Sequence, residues 1–206
     1  MTSKPYNAEI DYLESTGTQY IDSGIECTGD LSVECMVRIA EFGGKIAGGI
    51  KVINGKYYRH HMIILPPNTS SRGHIQIYWY QYNALNNASV SITRDVTYSD
   101  FINTWLPFSL NAITGAWTFA SYSGSVTPLS ASLTTGENYA IFGRIGLGTV
   151  TTQPCAFKYF KLSRNGVLLR DFIPVRKGTT GYLYDKVSGK LFGNAGTGSF
   201  ILGPDK

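Results

Sequence analysis

The stretch Leu31-Ser-Val-Glu-Cys-Met-Val-Arg-Ile39 alternates without a break: Leu31, Val33, Cys35, Val37 and Ile39 fall in one phase, Ser32, Glu34, Met36 and Arg38 in the other. A period of two is the pattern of a β-strand with one face in a core and the other in water. A single layer would leave that apolar face wet, so the strand demands a second layer. Outward along the chain, His74 to Tyr82 repeats the pattern, with Ile75, Ile77 and Trp79 against His74, Gln76, Tyr78, Tyr80 and Tyr82. Its second phase is aromatic and polar together.

Further strands are predicted at Lys56 to Leu65, Ser89 to Val96, Trp105 to Ile113, Trp117 to Tyr122, Tyr139 to Phe142, Ala156 to Ser163 and Val167 to Val175, all rich in β-branched or aromatic residues. None carries a sustained 3.6-residue repeat. Between them lie Asn54-Gly55, Pro66-Pro67-Asn68, Thr114-Gly115, Ser123-Gly124, Asn165-Gly166 and Ser188-Gly189. The two Asn-Gly pairs favour type I′ hairpins, whose central residues both need positive φ. About a dozen short strands with frequent turns predict an all-β fold, a jelly-roll β-sandwich of two antiparallel sheets. One domain over residues 1–206, with its core at about residues 8 to 202, fits the absence of a linker or internal repeat; Met1 to Asn7 and Gly203 to Lys206 read as irregular ends.

Composition agrees: of 206 residues 43% are hydrophobic, only 16% charged, and 23 are glycine, with 14 Tyr, 10 Phe and 3 Trp. A net charge of +4 comes from scattered residues, not from the basic stripe of a nucleic-acid binder, and no run of about 18 apolar residues offers a membrane span. Neither nucleic acid nor membrane is an expected partner. Three cysteines, Cys27, Cys35 and Cys155, cannot all pair within one chain and read as small buried hydrophobes.

Two segments, Tyr12-Leu-Glu-Ser-Thr-Gly-Thr-Gln-Tyr-Ile-Asp-Ser-Gly-Ile25 and Leu169-Arg-Asp-Phe-Ile-Pro-Val-Arg176 with the following Gly181-Tyr-Leu-Tyr-Asp-Lys-Val-Ser-Gly-Lys-Leu-Phe-Gly-Asn-Ala-Gly-Thr-Gly-Ser-Phe200, resemble the ends of a known domain type. They are similar to the laminin-G-like, concanavalin A-like lectin/glucanase domains of bacteriophage and prophage virion and tail proteins. The resemblance implies a lectin-like sandwich in a virion. The opening residues hold no apolar stretch of an export signal, consistent with synthesis in the cytoplasm of a bacterial host and release by lysis. Glycines and small polar residues in both segments suit tight reversals, and the two segments are expected to close the sandwich by pairing its first and last strands.

Glu9-Ile-Asp-Tyr-Leu-Glu14 fits the E-x-D-x-x-E pattern of glucanases of the same superfold, which need two carboxyls about 5–5.5 Å apart. Positions i and i+5 of a regular strand face opposite ways, so a charged edge strand is the expected role and no catalytic group is assigned. His60 and His61, as strand neighbours, point apart and do not predict zinc. No cofactor is expected; calcium is the one ion with material, since related sandwiches hold it in loops and Asp22, Asp30, Asp95, Asp100 and Asp185 lie near predicted turns. Gly143 to Gly148 and Gly193 to Gly198 reverse the dinucleotide fingerprint and are read as turns.

What remains is a surface. Arg72, His74, Tyr78, Tyr80, Tyr82 and Asn83 combine rings that stack on sugars with groups that bond hydroxyls. The expected function is a non-enzymatic binding or structural module of a phage particle, with glycans or neighbouring virion proteins as partners. A purely structural decoration or homo-oligomerisation domain is the alternative, and a glucanase the third.

Overall fold

Twenty strands and one helical turn follow one another along the chain in a computed structural model that describes residues 4–41, 44–53, 56–65, 72–83, 86–87, 90–128 and 134–206, with side chains for 4–41, 44–52, 58–60, 62, 100–128 and 134–206. In order they are β1 (Ala8–Glu9), β2 (Leu13–Thr16), β3 (Ile21–Thr28), β4 (Leu31–Ile39), β5 (Lys45–Ile53), β6 (Lys56–Leu65), β7 (Arg72–Asn83), β8 (Asn86–Asn87), β9 (Val90–Thr97), α1 (Tyr98–Phe101), β10 (Trp105–Leu110), β11 (Ala116–Phe119), β12 (Tyr122–Ser125), β13 (Thr134–Ile141), β14 (Gly143–Gly146), β15 (Thr149–Thr152), β16 (Pro154–Arg164), β17 (Val167–Lys177), β18 (Thr180–Asp185), β19 (Lys190–Phe192) and β20 (Ile201–Leu202).

They form two sheets. The first has the order β12-β11-β10-β4-β16-β17-β18-β19, with β1 on β17 and β2 between β16 and β20. The second runs β15-β14-β5-β6-β7-β8, with β13 joining β3 to β5 and β9 on β7. Pairing is antiparallel throughout the described strands except where β14 meets β5. The molecule is an all-β sandwich.

The alternation in β4 is realised residue by residue: Leu31, Val33, Cys35, Val37 and Ile39 are buried, and the residues between them are not. An aromatic seam joins the layers, running from Tyr139 of β13 through Phe160, Phe157 and Phe142 to Phe200, with successive ring centroids 5.9, 5.2, 5.0 and 4.8 Å apart. Burying these rings supplies much of the force that holds the sheets together. Cys27, Cys35 and Cys155 are free thiols inside this core, and burial raises the pKa of each.

Turn chemistry is obeyed at Asn165-Gly166, where φ values of 50° and 78° make the expected type I′ hairpin between β16 and β17. Thr114-Gly115 and Ser188-Gly189 also lie at reversals, whereas Asn54-Gly55 and Pro66-Pro67-Asn68 lie outside the described residues. Ser123-Gly124 is not a turn. The predicted strand Trp117 to Tyr122 instead reverses at Ala120-Ser121, and Gly124 sits within β12 opposite Trp117. A Cβ on Gly124 would stand 2.6 Å from the Trp117 ring, so the glycine makes room for an indole lying across the strand.

The run Gly143 to Gly148 is only partly a turn, because Gly143–Gly146 pairs as β14 and Leu147-Gly148 alone makes the two-residue loop to β15. Leu147 holds φ of 59° while 49% exposed, a left-handed conformation with no packing to compensate it. Leu147→Asn is expected to raise stability by about 0.5–1 kcal/mol in urea denaturation, asparagine being the residue this turn position favours; an unchanged midpoint would refute the strain.

The two end segments do pair. β2 lies against β20 with Leu13 opposite Leu202, and Tyr20 and Thr18 accept backbone hydrogen bonds from Ala195 and Thr197. The last residues are not loose: Gly203 donates to the Tyr12 carbonyl, Lys206 to that of Glu9, and Arg176 grips Asp205 at 2.5 Å. Gly203 passes so near Tyr12 that a Cβ there would meet its ring and backbone at 2.8 Å.

Candidate functional site

Three central strands of the first sheet present their outward phases side by side. In register, Trp105, Pro107 and Ser109 of β10 stand opposite Arg38, Met36 and Glu34 of β4, which face Ala156, Tyr159 and Lys161 of β16 on the other side. From Ser32 to Arg38 the strip is roughly 20 Å long at strand rise. A bulge in β16 between Phe157 and Tyr159 inserts Lys158, which turns onto the same surface.

One end of the strip is aromatic and ionic. The Tyr12 and Trp105 rings lie 5.7 Å apart, and the Arg38 guanidinium sits 4.7 Å from the first centroid and 5.1 Å from the second. Lys158 reaches to 4.8 Å from the Trp105 ring. Each cation also holds a carboxylate, Arg38 with Glu14 at 2.6 Å and Lys158 with Asp11 at 3.0 Å. Packing against rings stiffens long side chains that would otherwise move freely, so the cluster is preorganised.

At the other end the strip opens into a cleft of about 270 Å³ lined by Ser32, Glu34, Ser109, Asn111, Lys161 and Ser163. The exposed side chains of Ile113 and Leu168 stand at its rim. Lys161 pairs with Glu34 at 2.9 Å, a bond that raises the ammonium's pKa. Chemically the strip offers paired donors and acceptors, hydroxyls and two rings on a nearly neutral surface.

The residues singled out from sequence, Arg72, His74, Tyr78, Tyr80, Tyr82 and Asn83, all lie on β7, and their side chains are outside the described residues. Register still places them: Tyr80 is the partner of Arg59, Tyr78 of His61, and Tyr82 and Asn83 of Asn87 and Asn86. His60, the partner of Trp79, faces the core, where Nε2 donates to the Leu31 carbonyl at 2.8 Å and the ring meets Tyr139 edge-on. The tyrosine positions are therefore in the opposite phase to a core residue.

Glu9 and Glu14 belong to different strands and different partners. Glu9 on β1 takes Lys4 at 3.1 Å and the Tyr6 hydroxyl at 2.9 Å, which together hold its carboxyl below the usual range. Glu14 on β2 is spent on Arg38, and β2 is flanked on both sides, so it is not the expected edge strand. Of the loop aspartates, Asp22 accepts from Gly24, Asp30 from Thr28, and Asp185 caps a turn, while Asp100 is exposed on α1 and the Asp95 side chain lies outside the described residues. Among the described residues no three His, Cys, Asp or Glu side chains gather into a metal-sized group.

The Trp105 cluster went unnoticed in the sequence because Tyr12, Arg38, Trp105 and Lys158 are distant along it. Only the alternation of β4 flagged Arg38 as outward. Scans against protein-family models and against curated proteins find no significant match to this chain.

Proposed function

We propose that the protein is a non-enzymatic, lectin-like binding module of a phage or prophage particle, taking glycans on an aromatic and polar sheet face. The observation that carries this reading is the Tyr12, Trp105, Arg38 and Lys158 cluster, with rings for the apolar faces of sugars and fixed donors and acceptors for their hydroxyls. The particle context and the jelly-roll form of the sandwich rest on the resemblance of the two end segments.

A glycan array probed with the whole chain is expected to give hits of micromolar to millimolar affinity, each weakened at least tenfold by Trp105→Ala. A different outcome would favour an assembly role. The cleft rim exposes Ile113 and Leu168, with Val167 63% exposed beside it, and apolar residues so grouped suit a second subunit. Silence on the array together with a defined oligomer on a sizing column would replace glycan binding by that reading.

A further inference from the structure

Three ion pairs on the outer strip of the first sheet leave it without net charge. Arg38 holds Glu14, Lys158 holds Asp11 and Lys161 holds Glu34, one carboxylate for each cation. An acidic sugar laid along this strip brings a charge that meets no unpaired cation, and desolvating it is costly. A neutral chain brings none.

Contacts for such a chain run the length of the strip. At one end the Tyr12 and Trp105 rings lie 5.7 Å apart. Midway, Tyr159 stands in register with Met36, and Lys161 Nζ lies 5.3 Å from the tyrosine centroid. The cleft follows. At about 270 Å³ it falls just under the range for drug-sized ligands, roughly 300–1,000 Å³, and has room for one sugar ring. Its polar groups have bonding capacity to spare. Asn111 Oδ1 accepts from the N–H groups of Ile113 and Thr114, which leaves the amide nitrogen to donate, and Ser32 Oγ accepts from the Ala112 N–H, which leaves its hydrogen. Among the described residues the Ser163 hydroxyl and Glu34 Oε2 have no hydrogen-bond partner. Exposed Ile113 and Leu168 flank the opening and offer apolar surface to the C–H groups of a pyranose.

We infer that the strip binds one neutral, extended oligosaccharide of about four sugar units, lying along β4 from the Tyr12 and Trp105 rings into the cleft, since strand rise makes the strip roughly 20 Å long. Length is set by the separation of the rings from the cleft, and neutrality by the three ion pairs. Both properties deepen the glycan-binding reading above, on which this assignment rests. Two weak contact sets on one surface act as linked sites, so a chain that reaches both ends gains affinity over one that reaches a single end.

The test is an array of linear oligosaccharides, from monosaccharide to hexasaccharide, in neutral, uronic-acid and sulfated series. Calorimetry of the full chain then follows with the disaccharide and the hexasaccharide of the strongest neutral series. Binding is expected in a neutral series, at least tenfold tighter for the hexasaccharide than for the disaccharide, and unchanged by added salt. Trp105→Ala and Ser163→Leu, the second filling the cleft and removing a hydroxyl, should each abolish that length advantage, with thermal melts showing that both variants fold. Equal affinity for the two lengths in the parent overturns the inference without any variant. So does a preference for the uronic-acid or sulfated series, or a hexasaccharide affinity unmoved in folded Ser163→Leu. In each of those cases hits weakened by Trp105→Ala leave the glycan-binding reading standing, whereas an array silent in every series removes both.

Discussion

Asp185→Ala is expected to destabilise the protein by about 3–5 kcal/mol, the range for stripping one partner from a buried, hydrogen-bonded charge. The Asp185 side chain is fully buried at the end of β18. Its Oδ1 accepts from the backbone N–H groups of Asp171 at 2.9 Å and Val187 at 3.1 Å, and its Oδ2 from the N–H of Ser188 at 3.2 Å and the hydroxyl at 2.6 Å. Arg170 lies 3.6 Å from Oδ2. One carboxylate thus ties β17 to the turn that leads into β19, and alanine leaves three N–H groups without that acceptor and Arg170 without its counter-charge.

Asp185→Asn keeps the shape and one acceptor oxygen but directs an amide at donors, so an intermediate loss is expected. Urea denaturation of the parent and both variants measures the order. A loss below about 1 kcal/mol for alanine would mean that water or another group replaces the carboxylate, contrary to this account.

The second large effect is a pH dependence carried by His60. Burial pulls its pKa from 6.5 down to about 4, against the opposing influence of its bond to the Leu31 carbonyl. Above pH 6.5 the ring is neutral whether the chain is folded or not, and the stability is complete. Between 6.5 and 4 the unfolded chain takes a proton that the folded core refuses, so stability falls with pH and levels out below 4. The loss amounts to roughly 3 kcal/mol from this side chain. Carboxylates titrate in the same interval, so the comparison is with His60→Gln, whose amide retains a donor for Leu31 but no titration. The parent should lose about 2–3 kcal/mol more than His60→Gln between pH 7.5 and pH 4. Parallel pH profiles for the two proteins would show that the imidazole is protonated within the fold.

Much of the architecture was legible locally. β4, β6 and the Asn165-Gly166 hairpin lie where alternation and turn chemistry place them. Errors arose where a local signal had two structural uses. Glycine marks a turn at Gly166 but a packing gap under Trp117 at Gly124, and nothing nearby in the chain distinguishes them. Likewise Leu147 takes a conformation that its own side chain disfavours, because β14 and β15 must reverse there to stay paired. The candidate sites were less legible still. Tyrosine positions on β7 could be seen because they are consecutive in one phase, whereas Trp105 and Arg38 are brought together by a pairing that closes a long loop.

The order of residues alone determined that this chain forms β-strands with one dry and one wet phase, and hence two layers, because the pleat assigns side chains to faces over a few residues at a time. The tertiary structure decided which outward side chains become neighbours and which charges find partners. Arg38 meets Glu14 and Lys158 meets Asp11 because of strand order and register, which are settled by packing between distant segments and leave no mark on the local pattern.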